Sequence, residues 1–424
     1  MKTEILRPLG LPAFRRVWLG QALSTVGDGM FVAALAAAVL EDRSGSDLGL
    51  VLGAESLALV AVALGGGVLA DRLRRSRLMI ASDVLRLLCV VGFALGAASG
   101  PLLLAAVLAA GMGFGSGLFR PAHRALLPTL APGLLPQANA LLSATSRVAM
   151  IVGPALGGLL LAVSSARTAF WIDVATFAVS IVALLGIRDS RPQREERTSV
   201  LADARDGFRA VLDRPWVAAI IGQGTLQLIL VMAPMLVLLP IHLSAQGQMD
   251  QYGLMLGLQA AGSAIGGLAV GARPPSRPGT VGVLGLGLGA VQLVCMMTGA
   301  PIPWLGFSVL LTGLGYGLFG VLWASALQRS IPDELLGRVF AVEMLGTYAL
   351  EPVGLALAPL AADLLGLRAV LTVALVALAV TTVVPLFVPG VRSFADPAPA
   401  APAESTDARD SGQAGPRSGA TTNG

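Results

Sequence analysis

"GMGFGSGLF", residues 111–119, and "TGLGYGLF", residues 312–319, are one glycine ladder written twice. A shift of 200 positions carries Gly113, Gly115, Gly117, Leu118 and Phe119 onto Gly313, Gly315, Gly317, Leu318 and Phe319. The same shift carries Gly66, Gly67, Ser76 and Arg77 onto Gly266, Gly267, Ser276 and Arg277. Repeated glycines weaken a helix in water, but in an apolar run they let helices approach closely inside a bilayer. The repeat therefore predicts two like halves of packed membrane helices.

Composition agrees. Of 424 residues, 55% are hydrophobic and 13% charged, and the mean hydropathy is +0.78, too apolar for a water-soluble domain of this size. Cys89 and Cys295 lie in apolar runs, and His123 and His242 are far apart. No disulfide framework, metal site or cofactor is expected. No hydrolase elbow, zinc motif or phosphate loop is present, which argues against an enzyme and against an ATP-driven pump. The first apolar segment follows a short basic stretch without a small-residue cleavage site, so it is expected to stay in the chain.

A span of the bilayer needs about 20 apolar residues. About twelve spans are expected, near 18–40, 48–70, 78–98, 102–119, 141–163 and 168–187, then 216–240, 252–272, 279–298, 303–325, 338–361 and 368–388. The fold class is all-α integral membrane, two pseudo-symmetric six-helix bundles. Residues 1–187 form the first and 216–388 the second. Residues 188–215 form a charged cytoplasmic linker, in which "SVLADARDGFRAVLDRP" reads as an amphipathic surface helix. Residues 389–424, rich in Pro, Ala, Ser and Gly, are expected to be a disordered cytoplasmic tail.

The net charge of +4 does not point to nucleic acid, because the basic residues follow a membrane pattern. Of 29 Lys and Arg, only Arg43, Arg167 and Arg368 fall in odd-numbered loops. Both termini are thus expected in the cytoplasm of a cell-membrane protein, with basic loops against lipid headgroups. All five tryptophans fall near expected span ends, as interfacial belts would place them.

On the residues "GxLADRxxR", carried by Gly67, Leu69, Ala70, Asp71, Arg72 and Arg75, and on "GPALGG" at 153–158, the chain resembles the major facilitator superfamily. The first motif departs at Arg74, where that family usually has a second glycine. The second motif, with Gly153, Pro154, Gly157 and Gly158, is similar to that of the family's antiporters. "FRRVWLGQALSTVGDGMF" (14–31), "ASDVLR" (81–86) and "FRPAHRALLP" (119–128) resemble its branch of enterobactin exporters and macrolide efflux pumps. The resemblance implies a monomeric secondary transporter without a cofactor, moving a small molecule by alternating access, with protons as coupling partner. It further implies that spans 1, 4, 7 and 10 line the cavity. It also implies a conformational latch in which Asp71 reaches the start of span eleven near Gly337 and Arg338. The arginine that many proton-driven members carry in span four is missing from residues 102–119.

A charge near the bilayer centre costs at least ~2.5–3.5 kcal/mol, so each is a functional candidate. Asp28 lies near the middle of span one and is the leading proton carrier or counter-ion. Glu351 stands in "LEPVGLALA" where Gly153 stands in "VGPALGGLL", which places it at a helix seam, with coupling and structural roles equally open. Tyr348, three residues earlier, is placed to hydrogen-bond to it. Glu55 is a gate residue or a partly hydrated acid. Asp83 and Arg86, one turn apart, read as a structural pair, and Arg147 as half of another ion pair across the bundle or as an anchor for an anionic substrate group. Asp173 and Glu343 are expected near span ends, within reach of water. Gln223 and Gln227, one turn apart in span seven, join helices or touch substrate; Gln259 and Gln292 follow them. A glycine-rich, weakly polar cavity suits an amphipathic drug-like, natural-product or siderophore-like molecule. An importer of a nutrient or lipid-like molecule, or a transport-inactive sensor or scaffold, are the competing functions.

Overall fold

The computed structural model describes residues 6–70, 74–187, 189 and 200–395. They form α-helices with no strand among the described residues. The first half holds α1 (Pro12–Asp42), α2 (Gly45–Ala70), α3 (Arg75–Ala94), α4 (Leu102–Leu130), α5 (Leu135–Val163) and α6 (Ala166–Leu184). The linker contributes α7 (Val200–Leu212). The second half starts with α8 (Pro215–Gln227), a π-helical turn (Leu228–Met232) and α9 (Ala233–Ala245), one continuous rod. Then follow α10 (Tyr252–Ala272), α11 (Pro278–Leu286), α12 (Gly289–Thr298), α13 (Ile302–Ser330), α14 (Asp333–Tyr348), α15 (Glu351–Leu365) and α16 (Leu367–Val383). Pro12, Pro215 and Pro278 open their helices, where the absent N–H would have no helical partner anyway.

Among the described residues, ten segments are long and apolar enough to cross a bilayer. The two expected spans that miss this measure do so for reasons of sequence. In α3, Arg75, Arg77, Asp83 and Arg86 interrupt the apolar run. The run expected at 338–361 is broken by a turn at Ala349–Leu350 into α14 and α15.

The repeated glycines have a packing cause. A Cβ at Gly113 would run into the carbonyl of Glu55, and one at Gly117 would meet Val62 at 2.9 Å, so α4 rides directly on the backbone of α2. In the second half, Gly313 and Gly317 stand in the same way against the carbonyls of Gln259 and Ser263 on α10.

The apolar core is divided unevenly. At the end of the molecule away from the described termini, one cluster joins both halves: Phe31, Phe93 and Phe170 from the first, Val231, Tyr252 and Leu371 from the second. The three phenylalanines meet with ring centroids 5.6–5.8 Å apart. At the opposite end each half has its own core, one around Phe14, Met79 and Leu126, the other around Trp216, Trp323 and Phe394. The halves are therefore joined at one end and separate at the other.

Two expectations need correction. Trp171 and Trp304 are exposed, as a belt requires, but Trp216 and Trp323 are buried against each other with ring centroids 5.9 Å apart, and Trp18 faces a cavity. Tryptophan's large apolar ring gains more from this core than from an interface. Residues 389–395, expected to open the tail, are packed: Val391 and Phe394 are buried, and Thr280 N donates to the Arg392 carbonyl at 3.1 Å. Residues 396–424 lie outside the described residues.

Candidate functional site

Two chambers, each of about 370 Å³, lie in the end of the molecule where the cores are separate. The first is walled by α1, α4 and α5, with Arg86 of α3 at its back; Asp28, Arg120, His123 and Arg124 give it its charge. The second is walled by α8, α11, α13 and α14 and is mostly apolar, with Tyr316, Phe319, Trp323 and Phe340 around Gln223 and Glu343. The chambers are copies. The 200-residue shift carries Gln21, Arg86, Phe119, Arg120, His123 and Arg124 of the first onto Ile221, Leu286, Phe319, Gly320, Trp323 and Ala324 of the second. The first copy carries the basic residues, and the second carries Tyr316 and Trp323 in the places of Ser116 and His123.

Asp28 is tied into a chain of polar groups. Gln21 donates to Ser180 Oγ at 2.7 Å, and Ser180 donates to Asp83 Oδ2 at 2.6 Å. Asp83 holds Arg86, and the same guanidinium reaches Asp28 Oδ2 at 3.4 Å. Phe119 and Phe177 enclose Arg86 with ring centres 4.8 and 4.6 Å from its Cζ, contacts that favour a cation when water is excluded. The structural pair of Asp83 and Arg86 thus carries a third member. Asp83 is buried, whereas the Asp28 side chain is 41% exposed to the chamber, so a proton or ion from the chamber reaches only Asp28.

Asp173, expected near water, is fully buried. Its Oδ1 accepts from Thr176 at 3.0 Å, and its Oδ2 has no partner among the described residues. The reason is its contact with α1: a Cβ at Gly27 would collide with the Asp173 carboxylate. Glu343 faces the aromatic chamber and accepts from Trp323 Nε1 at 2.6 Å.

Glu55 and Glu351, distant in sequence, come together across the two halves. Ser56, next to Glu55, donates to Glu351 Oε2 at 3.2 Å, and Glu55 lies within electrostatic range of Asp28, Arg120 and Glu351. Glu351 opens α15 directly after the break at Ala349–Leu350, where the helix N-terminus favours a carboxylate. The π-helical turn of the α8–α9 rod packs beside it, with the Ile229 carbonyl 2.9 Å from a Cβ placed on Gly354. Broken and π-bulged helices inside a membrane commonly mark binding sites.

Arg120 was missed because span four was ended at residue 119. The helix runs on to Leu130 through Pro121, and Arg120, His123 and Arg124 share one face at i, i+3 and i+4. That spacing was the available signal. Arg147 has no ion pair among the described residues; its Nη1 lies 3.8 Å from a Cβ placed on Gly267 in the other half. Gln227 donates to Thr381 Oγ1 at 3.0 Å and so joins helices, whereas both polar atoms of Gln223 lack a partner among the described residues. Tyr348 ends α14, and its side chain lies outside the described residues.

Gly153, Pro154 and Gly157 are buried against Val26, Gly29 and Met30 of α1, and Gly158 meets Gly253 of α10 in the other half. Gly49 and Gly53 of α2 likewise face Leu355, Pro359 and Pro352 of α15. These seams close the joined end. Of the expected latch, Asp71 and Arg72 lie outside the described residues, as do the surroundings of Gly67. Arg75 donates to the Ala125 carbonyl at 2.6 Å. The Arg338 carbonyl is covered by linker helix α7, 2.8 Å from a Cβ placed on Gly207.

Residues 17–350 match the model of the Major Facilitator Superfamily. The chain belongs to that family. It is 29% identical over 389 residues to the multidrug efflux pump Tap of Mycolicibacterium fortuitum, covering 87% of this chain and 93% of the relative. It is 30% identical over 339 residues to the enterobactin exporter EntS of Escherichia coli, covering 77% of this chain and 80% of the relative. Among solved structures, a point mutant of the nucleoside transporter NupG superposes with a TM-score of 0.71 at 11% identity, covering 88% of this chain and 98% of that one. The protein is a multi-pass membrane transporter of the major facilitator fold, with efflux pumps among its relatives.

Proposed function

We propose that this transporter exports amphipathic organic molecules from the cell in exchange for protons, by alternating access. The observation that carries the reading is the half-exposed Asp28 beside Arg86, with Arg120 on the wall of the same chamber, while Glu351 is hydrogen-bonded across the two halves by Ser56. With both termini in the cytoplasm, as the basic loops imply, the chambers open inward and the glycine seams close the outer end.

Asp28 exchanges protons with the chamber, because it is the network's half-exposed carboxylate. A proton on Asp28 removes its ionic contact with Arg86 and loosens α1 from α3. Glu351, bonded across the halves through Ser56, passes that change to the outer seam. Differential protonation of the two states then biases the equilibrium between them, and only such a difference does so. Efflux relatives support the outward direction.

The test is a reconstituted one. In proteoliposomes carrying an internal pH dye, an imposed proton gradient is expected to drive ethidium movement, and ethidium is expected to drive proton flux. Asp28→Asn should abolish both with normal abundance and folding. Unchanged proton flux in both Asp28→Asn and Glu351→Gln would overturn the coupling assignment.

A further inference from the structure

The aromatic chamber contains a polar group that neither packing nor proton coupling uses. Gln223 is 3% exposed, on the chamber wall, and neither its amide nitrogen nor its amide oxygen has a partner among the described residues. Leaving both a buried donor and a buried acceptor unpaired is costly. Its neighbour one turn on, Gln227, is satisfied by Thr381, so the deficit is particular to Gln223. Around it stand flat surfaces. Phe319 stacks on Trp323 at an interplanar angle of 12° and a centroid distance of 6.2 Å, and Glu343 fixes the indole by accepting from Nε1. Tyr316 and Phe340 complete the wall. In the first chamber, Ser116 holds the place of Tyr316, His123 that of Trp323 and Arg120 that of Gly320, so the stacked Phe319–Trp323 wall beside a tyrosine belongs to the second copy.

A primary amide offers a donor and an acceptor side by side, which matches a planar group with the complementary edge, such as a lactam or a carboxamide on an aromatic ring. We infer that the second chamber is the subsite for such a group: the Gln223 amide, sealed in the chamber wall in this state, turns inward to pair with the amide edge, and Tyr316 and Phe319 take the ring face. The inference rests on the export reading for its biological use, but it is a statement about binding. It assigns the planar end of a transported molecule to the second half and leaves the charged chamber for the other end.

The probes are carbostyril, a planar lactam, its N-methyl derivative, which lacks the donor, and quinoline, which lacks the amide. Each is titrated calorimetrically into the full-length protein in lipid nanodiscs, with empty nanodiscs as reference. Carbostyril is expected to bind about tenfold more tightly than either comparison compound, the scale of discrimination of a bidentate amide pair. Gln223→Leu should remove that preference and keep quinoline binding, which also reports that the variant is folded. If Gln223→Leu does not fold, Gln223→Asn, whose shorter amide cannot reach the same edge, should lower the preference in its place. Equal binding of all three compounds, or a preference that survives the Gln223 variants, overturns the subsite. Because the readout is binding, a lactam preference without proton-driven transport in proteoliposomes would reject export alone. Transport without a lactam preference would reject the subsite alone.

Discussion

At the scale of single residues, Arg86 decides whether the first half is sound. Its guanidinium is shared by a buried carboxylate, Asp83, and a half-exposed one, Asp28, between two phenylalanine rings. Removing it leaves Asp83 as an uncompensated buried charge. Arg86→Met is expected to destabilise the protein by about 3–5 kcal/mol, read as a fall in the thermal unfolding midpoint in detergent. Asp83→Asn added to Arg86→Met should recover most of the loss, since no charge is then stranded. Asp28, Glu55 and Glu351 were legible as candidates because an acid in an apolar run is costly. Their meeting was not, since it joins residues nearly 300 positions apart. Asp173 was misplaced because sequence depth along a helix says nothing about which neighbour covers the residue.

At the scale of helices, the glycine ladder is a contact surface. Gly113→Val would force a side chain into the Glu55 carbonyl, and backbone cannot yield as a side chain does. A loss of about 1–3 kcal/mol from overpacking is expected, and Gly313→Val should lose a similar amount through Gln259. Equal thermal stability of wild type and both variants would show that α4 and α13 do not need this approach. Helix ends were the least legible feature. Hydropathy ended span four at residue 119, but proline within a membrane helix is tolerated where neighbours satisfy the freed carbonyl, so the helix continued and carried Arg120 into the chamber wall. The break before Glu351 had one local signal, Pro352, which stands in the first turn of α15 and cannot continue a preceding helix without a kink; Ala349 and Leu350 themselves are ordinary helix formers.

At the scale of the whole molecule, one shared core at the joined end and two separate cores at the other make the halves a hinged pair. The seam depends on close backbone approach at Gly158 and Gly253. Gly158→Val is expected to push the halves apart there and move the population toward the state open at that end. Spin labels at Ser165 and Gln248, in the loops on either side of the seam, should report a longer distance distribution, while labels across the chambers report a shorter one. Unchanged distributions would mean that this contact does not hold the seam.

The sequence by itself determined that the protein is a helical membrane protein in two like halves, because bilayer length and an internal repeat are local or periodic properties of a chain, and its short motifs carried the likeness to a transporter family. It also marked the costly acids. Tertiary structure alone decided which of them meet, that one chamber is charged and its copy aromatic, and at which end the halves are joined. Those outcomes depend on which helix faces which, and side-chain contacts between distant segments leave no period in the sequence.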